Sequence, residues 1–564
     1  MAQGEYKTYQ IIKSKTIKTM KRLLLTFVAL VAASVVMAAE CVIIPRPASY
    51  EPQKGKCVLT SKSVVYAADK SLVRPATMFA SYMKVENGLD LAVVESAPKG
   101  KGSILLSLDK GLGEEAYLLD VTKTGVVIKG GSAKAVFYGL QSLRQVVLNA
   151  NHKGAKVAID CMIVKDQPHF GYRGGMFDVC RHMFSVEEVK KFIDILAMHK
   201  MNRFHWHLTE DQGWRIEIKS HPELTKVGSV RKETAVYNTN PKSGRTQIVG
   251  YDGKPHGGFF TQEEVRDVVR YAAERYIEVI PEIDMPGHMI AALATYPELG
   301  CTKGPYEVRK TWGIAKDVLC AGRETTFAFI EDVLDEVVAL FPSKYIHIGG
   351  DECPKNRWKE CPDCQKRIQE EGLKDEHELQ SYFMKRVEKY LNTKHGRSII
   401  GWDEILEGGV SKTATVMAWR GAKRGVVAAK LGNKVIMTPT HYCYLDFANT
   451  SNREKNGEPI CGGRNGKRPL TLRKVYSFDP YADLTTDEQR CIVGVQGNLW
   501  TEYIADFDHA QRMTLPRIAA IAEVGWTPMA NKSYNDFSRR MHLLRKLYDK
   551  CGYKYAPYFF NGIE

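Results

Sequence analysis

The sequence predicts an α/β protein in which a small α+β domain precedes a (β/α)8 barrel. The chain has 564 residues, which is too long for one ordinary domain, and its 44% hydrophobic and 26% charged residues are typical of a globular protein. After about residue 168, short apolar segments alternate with longer segments of helical periodicity. Eight such alternations over roughly 360 residues indicate a (β/α)8 barrel with insertions.

The first 39 residues are predicted to form a secretory signal peptide. Lys21 and Arg22 precede an apolar run at 23–37, and the small residues Ala38 and Ala39 follow it. This run is shorter than the ~20 residues that a membrane span needs. We therefore expect an exported protein, periplasmic or at the cell surface, that has no membrane span and is translated from Met20.

Lipid anchoring at Cys41 is not favoured, because Glu40 precedes it where such processing sites want a small residue.

The charge balance is mild for a chain of this length. Lys and Arg total 80 and Asp and Glu total 65, which gives a formal charge of +15. Scattered solvated lysines account for it, and no basic cluster indicates a nucleic-acid partner.

Residues 40–167 are predicted to form the α+β domain. Strands are expected at 103–108, 116–121 and 125–129, and a helix at 133–148 whose apolar residues recur on one face. No acid–base constellation occurs in this segment, so we expect a supporting domain.

The barrel is predicted at 168–530, followed by a terminal helix and tail at 531–564. Two of its helices begin with the capping-box pattern, at Ser185 to Glu188 and at Thr261 to Glu264. The eight candidate strands are 171–178, 203–208, 276–283, 345–350, 398–402, 415–419, 434–438 and 492–499.

Polar residues and tryptophans occur at the predicted strand ends, where barrels of this kind place their chemistry. Tryptophans stack on the apolar faces of sugars, and carboxylates and arginines bind sugar hydroxyls. The pattern therefore indicates a carbohydrate pocket. Its candidate residues are Arg173, Asp178, His205, His207, Asp211, Glu282, Asp284, His288, His347, Asp351, Glu352, Trp402, Trp419, Tyr442, Tyr444, Asp446, Trp500 and Glu502.

Two adjacent carboxylates, Asp351 and Glu352, follow an apolar strand and two glycines. Neighbouring residues on a strand point in different directions, so they are poor candidates for an acid and a nucleophile that face each other across one bond. Two-carboxylate glycosidases hold those groups about 5.5 Å apart when retaining and about 6.5–9.5 Å apart when inverting. We favour a substrate-assisted reaction, in which the 2-acetamido oxygen of the sugar is the nucleophile, and keep the two-carboxylate reaction as an alternative.

Several segments in order along the chain resemble glycoside hydrolase family 20, the β-N-acetylhexosaminidases. The main one is His-Ile-Gly-Gly-Asp-Glu at 347–352, and the others are 171–178, 204–214, 281–288, 401–404, 444–446 and 498–502. The likeness extends from about residue 42 to 530 and includes the accessory domain. It implies a bacterial, exported enzyme that releases terminal β-linked N-acetyl-D-hexosamine from glycans.

The resemblance also implies a role for each matching residue. Glu352 is expected to act as general acid and then as base, Asp351 to hold the acetamido N–H, and Tyr444 to bond the acetamido oxygen. The pocket walls are expected to be Trp402, Trp419 and Trp500, and the hydroxyl-binding residues Arg173, Asp446 and Glu502. Asp211, rather than its neighbour Glu210, is expected to brace the acid pair together with His288.

The cysteines near the acid pair leave their chemistry open. Cys353, Cys361 and Cys364 follow it, the last two as a Cys-x-x-Cys pair, but no close fourth cysteine is visible. A structural zinc site needs four ligands, so a local disulfide or free thiols are favoured over a metal. No metal ligand and no cofactor is assigned.

Other functions remain compatible with the sequence. His205 and His207 form the His-x-His pair of metal-dependent barrel hydrolases, although Trp402 and Trp419 stand where such enzymes need further ligands. A non-catalytic glycan-binding protein on the same fold and an enzyme that releases a disaccharide are further alternatives. The sequence does not indicate an oligomeric state.

Overall fold

The computed structural model describes residues 40–98, 101–154, 156–239, 246–450 and 469–563. The predicted signal peptide at 1–39 lies outside these described residues. Within them, no helix combines the length and the apolar character that crossing a bilayer requires.

The first unit is a mixed sheet covered by two helices, α1 (Val73–Asn87) and α2 (Ala133–Leu148). The Ser132 hydroxyl caps α2 by accepting the Ala135 N–H. α2 is buried on all sides, because it packs against the sheet and also faces the barrel, where Tyr138 meets Trp526 edge-on. The strands are β1 (Ser49–Leu59), β2 (Val64–Ala67), β3 (Ala92–Val94), β4 (Ser103–Leu108), β5 (Tyr117–Thr122), β6 (Gly125–Gly130), β7 (Asn151–Lys153) and β8 (Lys156–Asp166).

The second unit is a closed barrel of eight parallel strands. Each strand coincides within two residues with a segment predicted from the sequence, so the α/β class and the (β/α)8 barrel are confirmed. The strands are mostly buried on both faces, as expected for parallel strands surrounded by helices. They are β9 (Tyr172–Asp178), β10 (Arg203–His207), β11 (Glu278–Met285), β12 (Tyr345–Gly349), β13 (Ser398–Trp402), β14 (Thr415–Ala418), β15 (Lys434–Met437) and β16 (Ile492–Leu499).

Helices follow most of these strands, and both predicted capping boxes are present, at Ser185 and Thr261. The helices are α3 (Val186–Met198), α4 (Glu223–Lys226), α5 (Gln262–Ala273), α6 (Ile290–Thr295), α7 (Glu324–Leu340), α8 (Asn356–Glu360), α9 (Pro362–Glu370), α10 (Glu376–His395), α11 (Ala422–Lys430), α12 (Thr440–Cys443), α13 (Leu472–Tyr476), α14 (Thr486–Gln489), α15 (Phe507–Thr514), α16 (Arg517–Trp526) and α17 (Tyr534–Cys551).

Short elements complete the description. Four 3-10 turns lie at Lys70–Leu72, Pro297–Leu299, Asp403–Leu406 and Met529–Asn531. Short strand pairs in the loops join Thr209–Glu210 to Gly213–Trp214, Val230–Arg231 to His256–Gly257, and Ala235–Thr239 to Thr246–Tyr251. The loop pairs lie after β10, on the side of the barrel where the strands end.

Candidate active site

The floor of the site is the turn that follows β12. Gly349 and Gly350 adopt φ values of +65° and +97°, and a Cβ on Gly349 would come within 1.6 Å of an Asp284 oxygen. Glu352 itself has a φ of +44°, which a non-glycine residue rarely adopts. The turn brings the adjacent carboxylates Asp351 and Glu352 to the same histidine.

That histidine, His288, lies behind both carboxylates. Its Nε2 is 3.6 Å from a Glu352 oxygen and 3.8 Å from an Asp351 oxygen, and its Nδ1–H donates to Glu210 at 2.7 Å. Burial alone would lower the pKa of His288, but Glu210 and Glu352 raise it well above its usual value. A positive charge is therefore held against the two carboxylates.

Asp351 is the more enclosed of the pair, with its side chain 11% exposed against 33% for Glu352. Its Oδ1 is buried and accepts no hydrogen bond from any described residue. Burial raises the pKa of Asp351 well above its usual range, and the nearby Asp284 carboxylate raises it further. Asp351 Oδ1 is thus a buried acceptor without a donor among the described residues.

Tyr444 is held beside this carboxylate by the end of β16. It forms an isolated bridge with Asn498, and the next N–H, of Leu445, donates to the Asn498 carbonyl at 2.7 Å. Burial raises the pKa of Tyr444 well above its usual value, and the charges of Asp446 and Asp351 add to the effect. Its phenol therefore stays protonated and can donate a hydrogen bond.

The three predicted tryptophans and Tyr444 are linked by a series of ring contacts. The Tyr444 ring stacks on Trp419, with centroids 6.0 Å apart, and lies 6.4 Å from Trp500. Trp402 is 5.8 Å from Trp500 and almost fully buried. The structure thus brings together all three tryptophans and Tyr444 as an aromatic wall.

Glu404 fixes the outer tryptophan, a function that sequence reasoning did not assign. Its Oε2 accepts the Trp419 indole N–H at 2.9 Å. Burial and the neighbouring Asp403 raise the pKa of Glu404 to about 7. The segment 401–404 had been singled out as a motif, but sequence spacing alone does not indicate which tryptophan Glu404 contacts.

An arginine missed in the sequence analysis, Arg181, lies at this face of the barrel. Its guanidinium is 2.9 Å from Glu210 and 3.4 Å from Asp178, and it stands over the Trp500 ring at 4.9 Å. The signal that could have found it is its position three residues after the carboxyl end of β9.

Asp446 and Glu502 lie near this arginine. The Asp446 Oδ1 is buried and accepts no hydrogen bond from the described residues. Burial raises the pKa of Asp446, and Glu502 raises it further; burial also raises the pKa of Glu502, whereas Arg181 lowers it. These two carboxylates and one guanidinium form a polar corner that can bind sugar hydroxyls.

The structure does not bring Arg173 to the site. It is the second residue of β9, at the opposite end of the barrel, and its side chain is 1% exposed. Its guanidinium donates to Glu115 at 2.9 Å, to the Phe170 carbonyl and to the Tyr138 hydroxyl at 3.0 Å. Arg173 therefore joins the barrel to the first domain, because it lies where the strand begins rather than where it ends.

Asp211 is also placed differently from the expectation. Its carboxylate accepts the Ile290 N–H and pairs with Arg309, each at 3.1 Å, while the neighbouring Glu210 contacts His288. The two adjacent side chains point in different directions, so one supports a loop and the other the acid pair.

The His-x-His pair faces the barrel interior. His205 and His347 each lie 3.0 Å from Glu282, His207 bonds to the same carboxylate, and Trp402 donates its indole N–H to it at 2.8 Å. All three imidazoles are fully buried. Glu282 thus lies close to all three imidazoles and hydrogen-bonds to His207 and Trp402 beneath the aromatic wall.

Four cysteines lie together beside the site, although they are widely separated in the sequence. Cys361 and Cys364 meet Cys301 and Cys320, so that all four sulfurs lie within 4.8 Å of one another. Cys353 is buried apart from them, and no disulfide joins the described cysteines. Of the local disulfide and the free thiols that the sequence favours over a metal, the described residues show free thiols, and two further cysteines of the cluster come from the preceding loop.

Comparison with known proteins identifies the family of both units. Residues 170–529 match the model described as glycosyl hydrolase family 20, catalytic domain, and residues 40–167 match domain 2 of that family. The chain is 46% identical over 507 residues to a beta-hexosaminidase of Porphyromonas gingivalis, covering 88% of this chain and 62% of that protein. It is 36% identical over 433 residues to a beta-hexosaminidase of Akkermansia muciniphila, covering 76% of this chain and 82% of the other.

A solved structure gives the same assignment. The exo β-N-acetylglucosaminidase from Vibrio harveyi, determined in complex with N-acetylglucosamine, superposes with a TM-score of 0.79 at 30% identity. The match covers 92% of this chain and 79% of that one.

Proposed function

Because the chain belongs to glycoside hydrolase family 20, we propose that it is an exo-acting β-N-acetylhexosaminidase. It would remove terminal, non-reducing, β-linked N-acetylglucosamine or N-acetylgalactosamine from glycans. The observation that carries the proposal is the pairing of a buried acceptor, Asp351 Oδ1, with a neighbouring phenol donor, Tyr444, inside an aromatic wall. An acetamido group offers the complement of that pair: an N–H, a carbonyl oxygen and a methyl group.

The proposed reaction uses that acetamido group as the nucleophile. Asp351 accepts its N–H and Tyr444 donates to its oxygen, which aims the oxygen at the anomeric carbon. Glu352, the more exposed carboxyl, protonates the leaving oxygen. Ring closure gives an oxazolinium ion, and Glu352 then deprotonates the water that opens it, so that the anomeric configuration is retained.

The charges around Asp351 and Glu352 favour these reaction steps. Asp351 is costly to ionise in the free site because of burial and of Asp284, but a positive charge on the oxazolinium offsets that cost. The stabilisation is therefore larger in the transition state than in the ground state, which is the condition for raising kcat. His288 keeps Glu352 oriented from behind.

The polar corner would bind the far side of the sugar. Arg181, Asp446 and Glu502 offer both donors and acceptors next to Trp500. Since pyranose hydroxyls take bidentate hydrogen bonds from such groups, we assign them to hydroxyl recognition at the non-reducing end.

The test compares two chromogenic substrates that differ only at carbon 2, p-nitrophenyl β-N-acetylglucosaminide and p-nitrophenyl β-glucoside. We expect hydrolysis of the first alone, and inhibition by a thiazoline that mimics the oxazoline. The Glu352→Gln protein is the control for contaminating activity. Equal hydrolysis of both substrates would refute acetamido participation. Release of intact disaccharides only would refute single-residue exo action, and binding of glycans without turnover would refute the enzyme assignment.

We also propose that the protein is exported. The basic pair Lys21-Arg22 followed by the apolar run at 23–37 supports this proposal. Cell fractionation with N-terminal sequencing of the recovered protein tests it; recovery in the cytoplasm with residues 20–39 still attached would contradict it.

A further inference from the structure

The four-cysteine cluster belongs neither to the carbohydrate pocket nor to the acid pair. Its members come from two loops that the chain separates widely. Cys301 and Cys320 lie in the segment between β11 and α7, and Cys361 and Cys364 lie where α9 begins. Three of the four side chains are buried, and Cys301 is partly exposed.

The four sulfur atoms lie close together. Cys301 is 3.8 Å from Cys364, and Cys320 is 3.7 Å from Cys361 and 3.6 Å from Cys364. A zinc ion that binds four thiolates at about 2.3 Å requires sulfur–sulfur edges of about 3.8 Å. These three separations fit tetrahedral coordination, and all four sulfurs lie within 4.8 Å of one another.

The same distances do not single out a disulfide pairing. Cys320 is almost equally close to Cys361 and Cys364, and Cys364 is almost equally close to Cys301 and Cys320. A disulfide selects one partner and requires a separation of about 2.05 Å. The other compact groups of possible metal ligands in the described residues include histidines and carboxylates that take part in hydrogen bonds with one another, whereas this group consists of four cysteines.

The surroundings favour a site that carries negative charge. Four thiolates and one Zn²⁺ leave a net charge of −2 once the four thiol protons have gone to solvent. Cys361 occupies the N-cap position of α9, a helix of nine residues, so it lies at the positive end of the helix dipole. The Arg323 guanidinium interacts electrostatically with Cys320 and Cys361 and also donates to the Cys301 carbonyl.

The two loops are already in close contact at this point. Arg323 pairs with Asp363 at 2.6 Å, and Trp358 donates its indole N–H to the Leu319 carbonyl at 2.9 Å. A Cβ on Gly322 would come within 2.2 Å of the Asp363 backbone, so the two backbones could not approach this closely with a larger residue there. The first loop begins just after His288 and the second just after Glu352, so a link here joins the segments on either side of the acid pair.

We propose that Cys301, Cys320, Cys361 and Cys364 form a structural zinc site that fastens the loop after β11 to the loop after β12. The Cys-x-x-Cys pair supplies one half of the site and the two distant cysteines supply the other. The site is closed, with four protein ligands and no open position, so it stabilises structure and takes no part in the glycosidase chemistry.

The first test measures metal and thiols on the exported wild-type protein, purified without chelator or reductant. Elemental analysis is expected to give about one zinc per chain. A mercurial that attacks thiolates, added with a chromogenic chelator, should release that zinc. Alkylation after denaturation in chelator, without reductant, should label all four cysteines as free thiols. Wild-type protein that contains no zinc would overturn the proposal, whether the four cysteines form two disulfides or remain free thiols.

The second test uses variants. The pair Cys361→Ser with Cys364→Ser should lose the zinc and, if it folds, should melt roughly 5 °C or more below wild type. Cys491→Ser is the matched control and should keep zinc and melting temperature, because Cys491 is partly exposed and its thiol donates to the Ala429 carbonyl, away from the cluster. Because the wild-type analysis needs no variant, a double variant that fails to fold leaves the test intact. Zinc that persists in a folded double variant would overturn the assignment of ligands.

Discussion

The roles of the adjacent carboxylates Asp351 and Glu352 can be distinguished by replacing each one and measuring how the loss of activity depends on the leaving group. The changes are Asp351→Asn and Glu352→Gln, which keep shape and remove charge. Each variant serves as the matched control for the other, since both sit in the same turn and face the same histidine. The measurement is kcat/KM, which reports the first irreversible step, with substrates that carry a weakly basic dinitrophenolate or a more basic methylumbelliferone.

The expected magnitudes follow from the geometry. General acid catalysis contributes about 10²–10⁴-fold, and a weakly basic leaving group needs little of it. Glu352→Gln should therefore lose about 10³-fold on the basic leaving group and less than about tenfold on dinitrophenolate. Asp351 should stabilise a cation roughly 4 Å away, which is worth about 4 kcal/mol at an effective dielectric constant near 20. The asparagine dipole keeps part of that energy, so about 3–4 kcal/mol, or 10²–10³-fold, should be lost.

The pattern across substrates decides the assignment. Asp351→Asn should lose a similar factor with both leaving groups, because the acetamido oxygen displaces either leaving group in the same step, and the positive charge that Asp351 stabilises develops in both cases. The two roles would be exchanged if Glu352→Gln lost the same factor in kcat/KM with both substrates while the loss in Asp351→Asn depended on the leaving group. Losses below tenfold in both folded variants would refute the proposed reaction. Far-ultraviolet circular dichroism and thermal melting establish that each variant is folded.

Three further predictions concern the surrounding residues. Arg181→Lys should lower kcat/KM by about 10²-fold, because a lysine cannot reproduce the planar fork, whereas Arg173→Lys should lower the melting temperature and leave KM within about threefold; steady-state kinetics and calorimetry on both variants would reveal the reverse pattern. Tyr444→Phe should lower kcat by about 10²-fold and weaken thiazoline binding by a similar factor, since one oxyanion-type donor is lost; an unchanged inhibition constant would contradict the role. The pKa of Glu404 is raised to about 7 in the folded state, so its carboxyl is costly to ionise there. Its contribution to the free energy of unfolding is therefore most favourable below the unfolded pKa near 4.5 and is lost as pH rises towards 7. The stability of Glu404→Gln relative to wild type should therefore rise between pH 5 and pH 8 in urea unfolding, and a flat or falling difference would refute this linkage.

Barrel strands could be predicted from the sequence because each is a short apolar run bounded by helical periodicity. β13 and β16 have the predicted bounds, and β11 differs by two residues. The first domain was less predictable. Its strands β4, β5 and β6 and the helix α2 agree closely with the prediction, but β1, β2, β3, β7 and β8 were not predicted. Among these, β1 and β7 lie at the margin of the sheet, and their many exposed residues give a weak apolar signal.

The cysteine cluster shows why a ligand set can escape sequence reasoning. Cys320 and Cys364 are 44 positions apart, yet their sulfurs are 3.6 Å apart. The loops that carry them follow neighbouring parallel strands, and the carboxyl ends of such strands meet at one edge. The partners of a Cys-x-x-Cys pair on a barrel loop can therefore come from the loop of the adjacent strand as well as from the flanking sequence.

The two arginines show what decides a site assignment on a barrel. Arg173 and Asp178 lie on the same strand, but parallel strands rise about 3.3 Å per residue, so five residues separate them by roughly 17 Å. That distance carries a side chain from the catalytic face to the opposite face, where Arg173 joins the first domain through Glu115. Arg181, only eight residues later in the sequence, reaches the polar corner because it follows the end of the strand. A motif that spans a whole strand therefore contains residues for both faces, and the role of each follows from its position relative to the strand end rather than from its membership of the motif.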